Sequence, residues 1–427
     1  MARRRERNER GAPVTVADRW CAPPRETVPA AGPPRPLAAA QFVNSVGDGA
    51  FYACSALFLT QLVGLSASRV GLALTVAWAS AMLAGVPLGH LADRLGARRT
   101  AVLLSLATAA ALCAFPWVRS FPLLALVLCG YACAQAGLAS ARQTLLAALV
   151  AAERRTLARA RLQSVTNAGL AMGAGLGALA LTAGTRSAYV AVFAVDAGGF
   201  LVAALLLRRL PEARPAPGAA TGPRLAVLRD RRYAAVTALN AVMCLNMPLL
   251  SLGLPLWTAR RTDAPEELAA LLLTFNTLCV VVFQVRVARR VTDPRAATRA
   301  TRRAGWLMLA ACAGYALSGA GVGPGAAVAI LLAAAALQVA GEMWQGAGGW
   351  ELGFGLAHPA RQGQYQGFFG MGPQVARALG PVLVTTLLLG WGTWGWLALG
   401  GLFLAAGAAF GPAVHRVGRP ATSTAGP

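Results

Sequence analysis

Charge is what this sequence is short of. Only 13% of its 427 residues are charged, while 56% are hydrophobic; an ordinary soluble domain carries roughly 25% charged residues. Lysine is absent, so all 39 basic residues are arginine, set against 16 acidic ones for a net charge of +23. The scarcity of charge excludes a soluble globular domain. The abundance of apolar residues excludes a disordered chain, and a long chain with eight cysteines is not a small secreted disulfide scaffold. Seven of those cysteines (Cys54, Cys113, Cys129, Cys133, Cys244, Cys279, Cys312) lie in apolar runs without a metal-type CxxC pair. They read as small hydrophobes, so neither a disulfide nor a metal site is expected. The three histidines, His90, His358 and His415, accompany no nucleophile–base constellation, which speaks against an enzyme. No Walker-type phosphate loop is present either, and no cofactor is expected.

What is there is a series of long apolar stretches. They lie near 37–63, 70–92, 100–118, 121–143, 160–183, 187–207, 233–257, 267–286, 304–321, 325–355, 364–389 and 394–412. A membrane-crossing helix needs about 20 such residues, so the expectation is an all-α membrane protein with twelve spans. Two uncharged runs, 304–341 and 378–415, are too long for one helix and are broken by the glycine-rich segments 321–325 and 390–395. The arginine- and proline-rich start (Arg3, Arg4, Arg5, Arg7, Arg10; Pro23, Pro24, Pro33, Pro34, Pro36) has no apolar h-region and reads as a disordered tail, not a signal peptide. A connection over 208–232 with seven arginines and four prolines divides the chain. The resulting plan is a tail over 1–36, a six-helix bundle over 37–207, a linker over 208–232, a second bundle over 233–415 and a tail over 416–427.

Arginine placement sets the orientation. With the N-terminus inside, 32 of the 39 arginines fall in inside tails and loops and five (Arg69, Arg119, Arg186, Arg260, Arg261) fall outside. Such a bias puts both termini in the cytoplasm, so the protein is expected to be multi-pass in the plasma membrane. The basic charge therefore reads as attraction to lipid rather than to nucleic acid. A shift of 196 residues lays Asn44 on Asn240 and Ala92-Asp93-Arg94-Leu95 on Ala288-Arg289-Arg290-Val291. This is either an internal duplication, which would suit a transporter rocking about a central site, or coincidence in an Ala/Arg-rich chain.

The turn after the second span reads Gly89-His90-Leu91-Ala92-Asp93-Arg94-Leu95-Gly96-Ala97-Arg98-Arg99. Gly89 permits close helix packing, Gly96 permits a tight reversal, and Asp93 can satisfy a helix N-terminus or an arginine. Arg94, Arg98 and Arg99 hold the loop at the anionic inner leaflet. The segment resembles the Gly-x-Leu-(Ala/Gly)-Asp-Arg-x-Gly-Arg-(Lys/Arg)-(Lys/Arg) signature of the major facilitator superfamily, with Ala97 as the one departure. The resemblance covers residues from about 37 to 415. It implies two pseudo-symmetric six-helix bundles rocking around a midplane cavity, powered by a gradient and usually monomeric. It also implies that Asp93 helps lock the cytoplasmic side. Arg142, near the inner end of helix four, is either its partner or a side chain snorkelling to the headgroups.

Charged residues inside spans are costly and mark cavities or partners. Asp48 sits on one helical face with Gln41, Asn44, Tyr52 and Ser55, and helix seven carries Tyr233, Thr237, Asn240, Cys244 and Ser251. These stripes read as cavity walls, with polar glue between helices as the alternative. Gln338, Glu342 and Gln345 share a face of helix ten, and Glu342 lies at the depth of Arg377 in helix eleven. Glu342 is thus either salt-bridged to Arg377 or exchanges that partner for a proton. Asp48, with no arginine within two turns of its own helix, and Glu342 are the proton-coupling candidates. The role of Asp196 on helix six is open, with a structural pairing at least as plausible as a cavity role.

Helix five reads Gly169-Leu170-Ala171-Met172-Gly173-Ala174-Gly175-Leu176-Gly177. It partly keeps the glycines of the exporters' Gly-x-x-x-Gly-Pro-x-x-Gly-Gly signature but has Ala174 in place of the proline; the spacing can equally mean close packing. Small residues and aromatics (Trp78, Trp257, Trp344, Trp350) with few polar groups favour an apolar or amphipathic substrate. Three readings stand: proton-coupled efflux of a small, largely apolar or amphipathic drug or metabolite; uptake of a polar nutrient by symport or facilitation; and, remotely, a non-transporting receptor or enzyme on the same fold.

Overall fold

A computed structural model describes residues 32–212, 225–265 and 267–415. Most of the expected N-terminal tail, the middle of the linker and the segment 416–427 lie outside the described residues. Within them the chain is helical, with no strand. Twelve long helices follow one another: α1 Arg35–Leu62, α2 Ala67–Leu95, α3 Ala97–Trp117, α4 Phe121–Leu149, α5 Ala152–Ala183, α6 Arg186–Arg208, α7 Arg231–Arg261, α8 Leu268–Ala288, α9 Pro294–Ser318, α10 Pro324–Gly355, α11 Pro359–Gly390 and α12 Thr393–His415. Eleven are long and apolar enough to cross a membrane. The exception, α9, begins with four arginines (Arg295, Arg299, Arg302, Arg303) and becomes apolar only past them. Several helices run past the apolar stretches in this way, because a helix does not stop where the hydrocarbon does. The protein is a multi-pass membrane protein.

Local chemistry explains where these helices start and stop. Asp293 caps α9 by accepting from the Ala296 N–H at 2.8 Å, and Pro294 follows at the position where its missing N–H costs nothing. Asp230 caps α7 through the Tyr233 N–H at 3.0 Å. Gly96, at φ 90°, is the single residue between α2 and α3 and takes a conformation that a side chain would strain. Midway along, α7 is interrupted around Leu245 and Asn246, just before Pro248, and then continues through a π-turn at Leu249–Gly253. Further π-turns close α1 at Phe58–Leu62 and sit in α11 at Val384–Gly390, at the same end of the molecule.

The helices form two groups of six, each around its own apolar core. The first is built from α1–α6, centred on an aromatic cluster of Phe51, Phe58, Phe115, Tyr131 and Phe193. The second is built from α7–α12, with Trp257, Tyr315, Trp396 and Phe403 fully buried. Small residues let the backbones approach: a Cβ on Gly169, Gly173 or Gly177 of α5 would strike Ser45, Val46, Ala50 or Ala53 of α1. Helix–helix packing therefore accounts for the glycine spacing in α5. The seven described cysteines are free.

Candidate substrate and proton site

The two bundles meet at the end that carries the α2–α3 turn, the arginine-rich end. Here α2 and α4 of the first bundle abut the start of α11 in the second. Gly89 and Gly363 face each other so closely that a Cβ on either would overlap the other's carbonyl, and Gly85 and Gly367 repeat the contact one turn along. The approach lets the Asp93 carboxylate accept from the backbone N–H groups of Gly363, at 2.6 Å, and Gln364, at 2.9 Å. Ser140 donates to the Gly363 carbonyl at 2.8 Å, and the Gln364 amide shares a 2.9 Å hydrogen bond with His90. Beside this seam, Thr156 of α5 donates to Glu351 of α10, and Arg159 lies 5.0 Å over the Trp350 ring. Among the described residues, no hydrogen bond or ion pair joins the bundles at the opposite end.

Two expectations about the motif are corrected by this geometry. The partner of Asp93 is the start of α11, not Arg142; free N–H groups at a helix start are natural donors to a carboxylate. Arg142 does not snorkel either. It is 9% exposed, and its guanidinium donates to Gln41 at 3.2 Å and to the side-chain oxygen of Asn44. Of the motif arginines, Arg98 and Arg99 both pair with Glu212, at 3.2 and 2.8 Å, while Arg94 is exposed. Arg98 also donates to the carbonyls of Arg208 and Leu210, tying α3 to the end of α6.

Farther along α1, Asp48 is half-buried. Its carboxylate accepts from the Tyr131 hydroxyl at 3.1 Å and the Gln135 amide at 3.0 Å, and those two α4 residues are themselves 3.0 Å apart. Tyr52, one turn on, is 43% exposed despite its place inside the helix. From the second bundle comes Arg377 of α11, which is exposed, with its guanidinium 4.5 Å over the ring of Trp78 on α2. Because Arg377 of one bundle lies on Trp78 of the other and acts on Asp48, these exposed side chains face one another where the two bundles meet. The positive charges of Arg142 and Arg377 both act on Asp48, so the view from α1 alone, that no arginine is near, does not hold in three dimensions.

Glu342 and Arg377 are not brought together. Glu342 accepts from the Asn276 amide of α8 at 2.9 Å, and Arg377 lies on Trp78 instead. Several expected cavity residues turn inward as well. Gln338 is 1% exposed and accepts from the Tyr315 hydroxyl at 2.6 Å; Gln345 donates to Asn240 at 2.9 Å, and both are buried. Asn44 is buried beside Arg142. These are polar links inside a bundle, and Asn44 is the buried member of the α1 stripe, while Gln41, Asp48, Tyr52 and Ser55 keep exposure. Asp196 is 0% exposed, has no hydrogen-bond partner among the described residues, and lies against the backbone of Gly47, close enough to Asp48 to act on it electrostatically. Tyr131 and Gln135 were missed by sequence reasoning. With Arg142 they mark one face of α4 at spacings of four and seven, a signal the apolar residues around them conceal.

The comparisons with known proteins bear on this arrangement. The family model described as Major Facilitator Superfamily matches residues 37–381. No curated protein matches the chain in sequence. Among solved structures, one similar chain is a bacterial homologue of the iron transporter ferroportin in an outward-facing state, with 16% identity, a TM-score of 0.68, and coverage of 88% of this chain and 97% of that one. Another is the E. coli fucose:proton symporter, with 15% identity, a TM-score of 0.67, and 88% and 97% coverage. A third is the human organic anion transporter TETRAN, with 16% identity, a TM-score of 0.65, and 88% and 98% coverage. At these identities the likeness is one of fold.

Proposed function

The chain belongs to the major facilitator superfamily, and from that premise we propose that it is a proton-coupled secondary transporter working by alternating access in the plasma membrane. The observation that carries this is Asp48. An ionisable carboxyl stands in the space between the bundles, held by Tyr131 and Gln135, with Arg377 reaching across from the other bundle. An ionisable group in that place is costly to keep unless it serves a pathway. A proton and a donor group of the substrate compete for the same carboxylate oxygens, and linkage makes each oppose the other. That competition is the minimal chemistry of exchange.

The arginine-rich end is cytoplasmic on the charge-bias argument. With its seam sealed by Asp93, Gly89 and Gly363, the conformation is the outward-facing one, and breaking that seam is the step that admits substrate from inside. Export of a small amphipathic molecule by proton antiport is the direction we assign, because a carboxylate that holds either a proton or substrate couples the two in exchange, and Trp78 and Tyr52 nearby suit an amphipathic body. Packing on α1 accounts for the glycines of α5 and favours neither direction, so uptake by symport is the second reading.

Everted membrane vesicles carrying an acidic lumen separate the two. Four probes sharing one indole body are added outside: tryptophan, tryptamine, indole-3-propionate and tryptophol. An antiporter releases lumenal protons in response to at least one probe, and Asp48→Asn abolishes the response. In vesicles loaded with a probe instead, its exit together with lumenal protons indicates symport. No protein-dependent proton movement with any probe in either direction counts against proton coupling.

A further inference from the structure

Arg377 is the feature that the transport scheme leaves unexplained. It lies within α11, inside the apolar span, yet among the described residues it forms neither a hydrogen bond nor an ion pair; its contact is the face of Trp78. An arginine in mid-membrane without a carboxylate partner is expensive, and such residues face cavities and mark substrate pathways. Lying over an indole face gives the cation a favourable contact. It also leaves the in-plane N–H fork free, and that fork fits a carboxylate with two parallel hydrogen bonds.

The charges around it narrow the ligand. Arg377 acts electrostatically on Asp48 across the opening, and both are accessible from it. Two further charged groups are buried, Arg142 beside Gln41 and Asn44 and Asp196 against the backbone of Gly47; Glu342, on the same bundle as Arg377, accepts from Asn276 much as Asp48 accepts from Tyr131 and Gln135. Among the described residues, the opening therefore sets Arg377, a cation of one bundle without a hydrogen bond, against Asp48, an acid of the other. A ligand carrying only a cation would satisfy Asp48 and leave Arg377 unmatched, and one carrying only an anion would do the reverse. A ligand with both replaces the long-range balance of Asp48 and Arg377 by two direct contacts.

Resting on the reading of this opening as the transport site, we infer that its substrate is a small amphipathic zwitterion, with its carboxylate on Arg377 and its ammonium on Asp48. The aromatic side chains Trp78 and Tyr52 line the same space and suit an apolar body. Because the two contacts come from different bundles, one molecule of this kind spans the interface that must move.

Binding to the purified protein tests this independently of transport direction, by calorimetry with the same four indole probes at neutral pH. Tryptophan should bind at least about tenfold more tightly than tryptamine or indole-3-propionate, since one charge-assisted contact is worth about 1.5–3 kcal/mol and 1.4 kcal/mol is tenfold. Arg377→Gln should bring tryptophan down to the level of tryptamine, and Asp48→Asn should bring it down to that of indole-3-propionate. Arg377→Lys, which keeps the charge but not the fork, should fall between, and serves if Arg377→Gln does not fold. The inference is overturned if tryptamine or tryptophol binds as tightly as tryptophan. It is equally overturned if no probe binds, or if neither Arg377 variant changes the tryptophan-to-tryptamine ratio. Proton movement in vesicles with tryptamine alone would leave the transporter reading standing and remove the zwitterion.

Discussion

Asp93 and Gly363 are 270 residues apart in the chain, yet the carboxylate of one accepts the backbone N–H of the other at 2.6 Å. The contact joins the two bundles at the arginine-rich end, and with the Gln364 N–H it places an acid on the start of α11. A hydrogen bond to a charged group contributes about 1.5–3 kcal/mol, so this pair can decide which face of the transporter is closed. Asp93→Ala is expected to leave thermal unfolding nearly unchanged and to lower transport at least about tenfold. Cysteines introduced on the arginine-rich side of the opening should become more reactive to a membrane-impermeant thiol reagent. Wild-type turnover at wild-type expression would remove the latch.

The glycine contact beneath that latch makes a steric prediction. A Cβ at position 363 would overlap the Gly89 carbonyl, and a Cβ at position 89 the Gly363 carbonyl. Backbone on both sides leaves no flexible side chain to yield. Gly363→Ala should therefore open the same face as Asp93→Ala, whereas Gly175→Ala, which meets open space, should not. Equal thiol reactivity in these two glycine variants would count against the idea.

Proton coupling is expected to reside on Asp48. Asp48→Asn keeps the size of the side chain and its contacts with α4 but cannot exchange a proton. Concentrative transport driven by a pH gradient should be lost, while gradient-free exchange of substrate survives. Tyr131→Phe removes one of the two donors to Asp48 and should shift the pH dependence of transport without abolishing it. If Asp48→Asn still accumulates substrate, Glu342, held only by Asn276, is the next residue to replace.

The surface pairs should matter little. Glu212 pairs with Arg98 and Arg99, whose side chains are 26% and 67% exposed, while its own is 38% exposed. Solvent screens such ions, and exposed pairs contribute at most about 1 kcal/mol. Glu212→Gln should change the melting temperature slightly and the transport rate not measurably; a loss comparable to that of Asp93→Ala would mean that this pair belongs to the gate.

The proposed orientation rests on charge alone and is testable without any transport assay. A reporter active only in the cytoplasm, fused after Arg224, should give signal, and one fused after Asp263 should not. The reverse pattern would turn the molecule over and make the closed face external.

The sequence by itself determined an all-helical, multi-pass chain of the two-bundle kind and the turn motif. These follow from one-dimensional facts: a run of apolar residues long enough for hydrocarbon, and a glycine where φ must be positive, as at Gly96. Asp48 also stood out, because an acid within an apolar run is visible without coordinates. The partners were not legible. On one helix Asp93 has several possible counter-groups, and only the packing of α2 on α11 put it at two backbone N–H groups rather than at Arg142. Equal depth suggested Glu342 with Arg377, but depth fixes one coordinate of three, and rotation about the helix axis sent one to Asn276 and the other to Trp78. The polar stripes misled for the same reason. A glutamine such as Gln338 is as well satisfied by a tyrosine inside its own bundle as by an open cavity, and a helical period names a face without saying what that face meets.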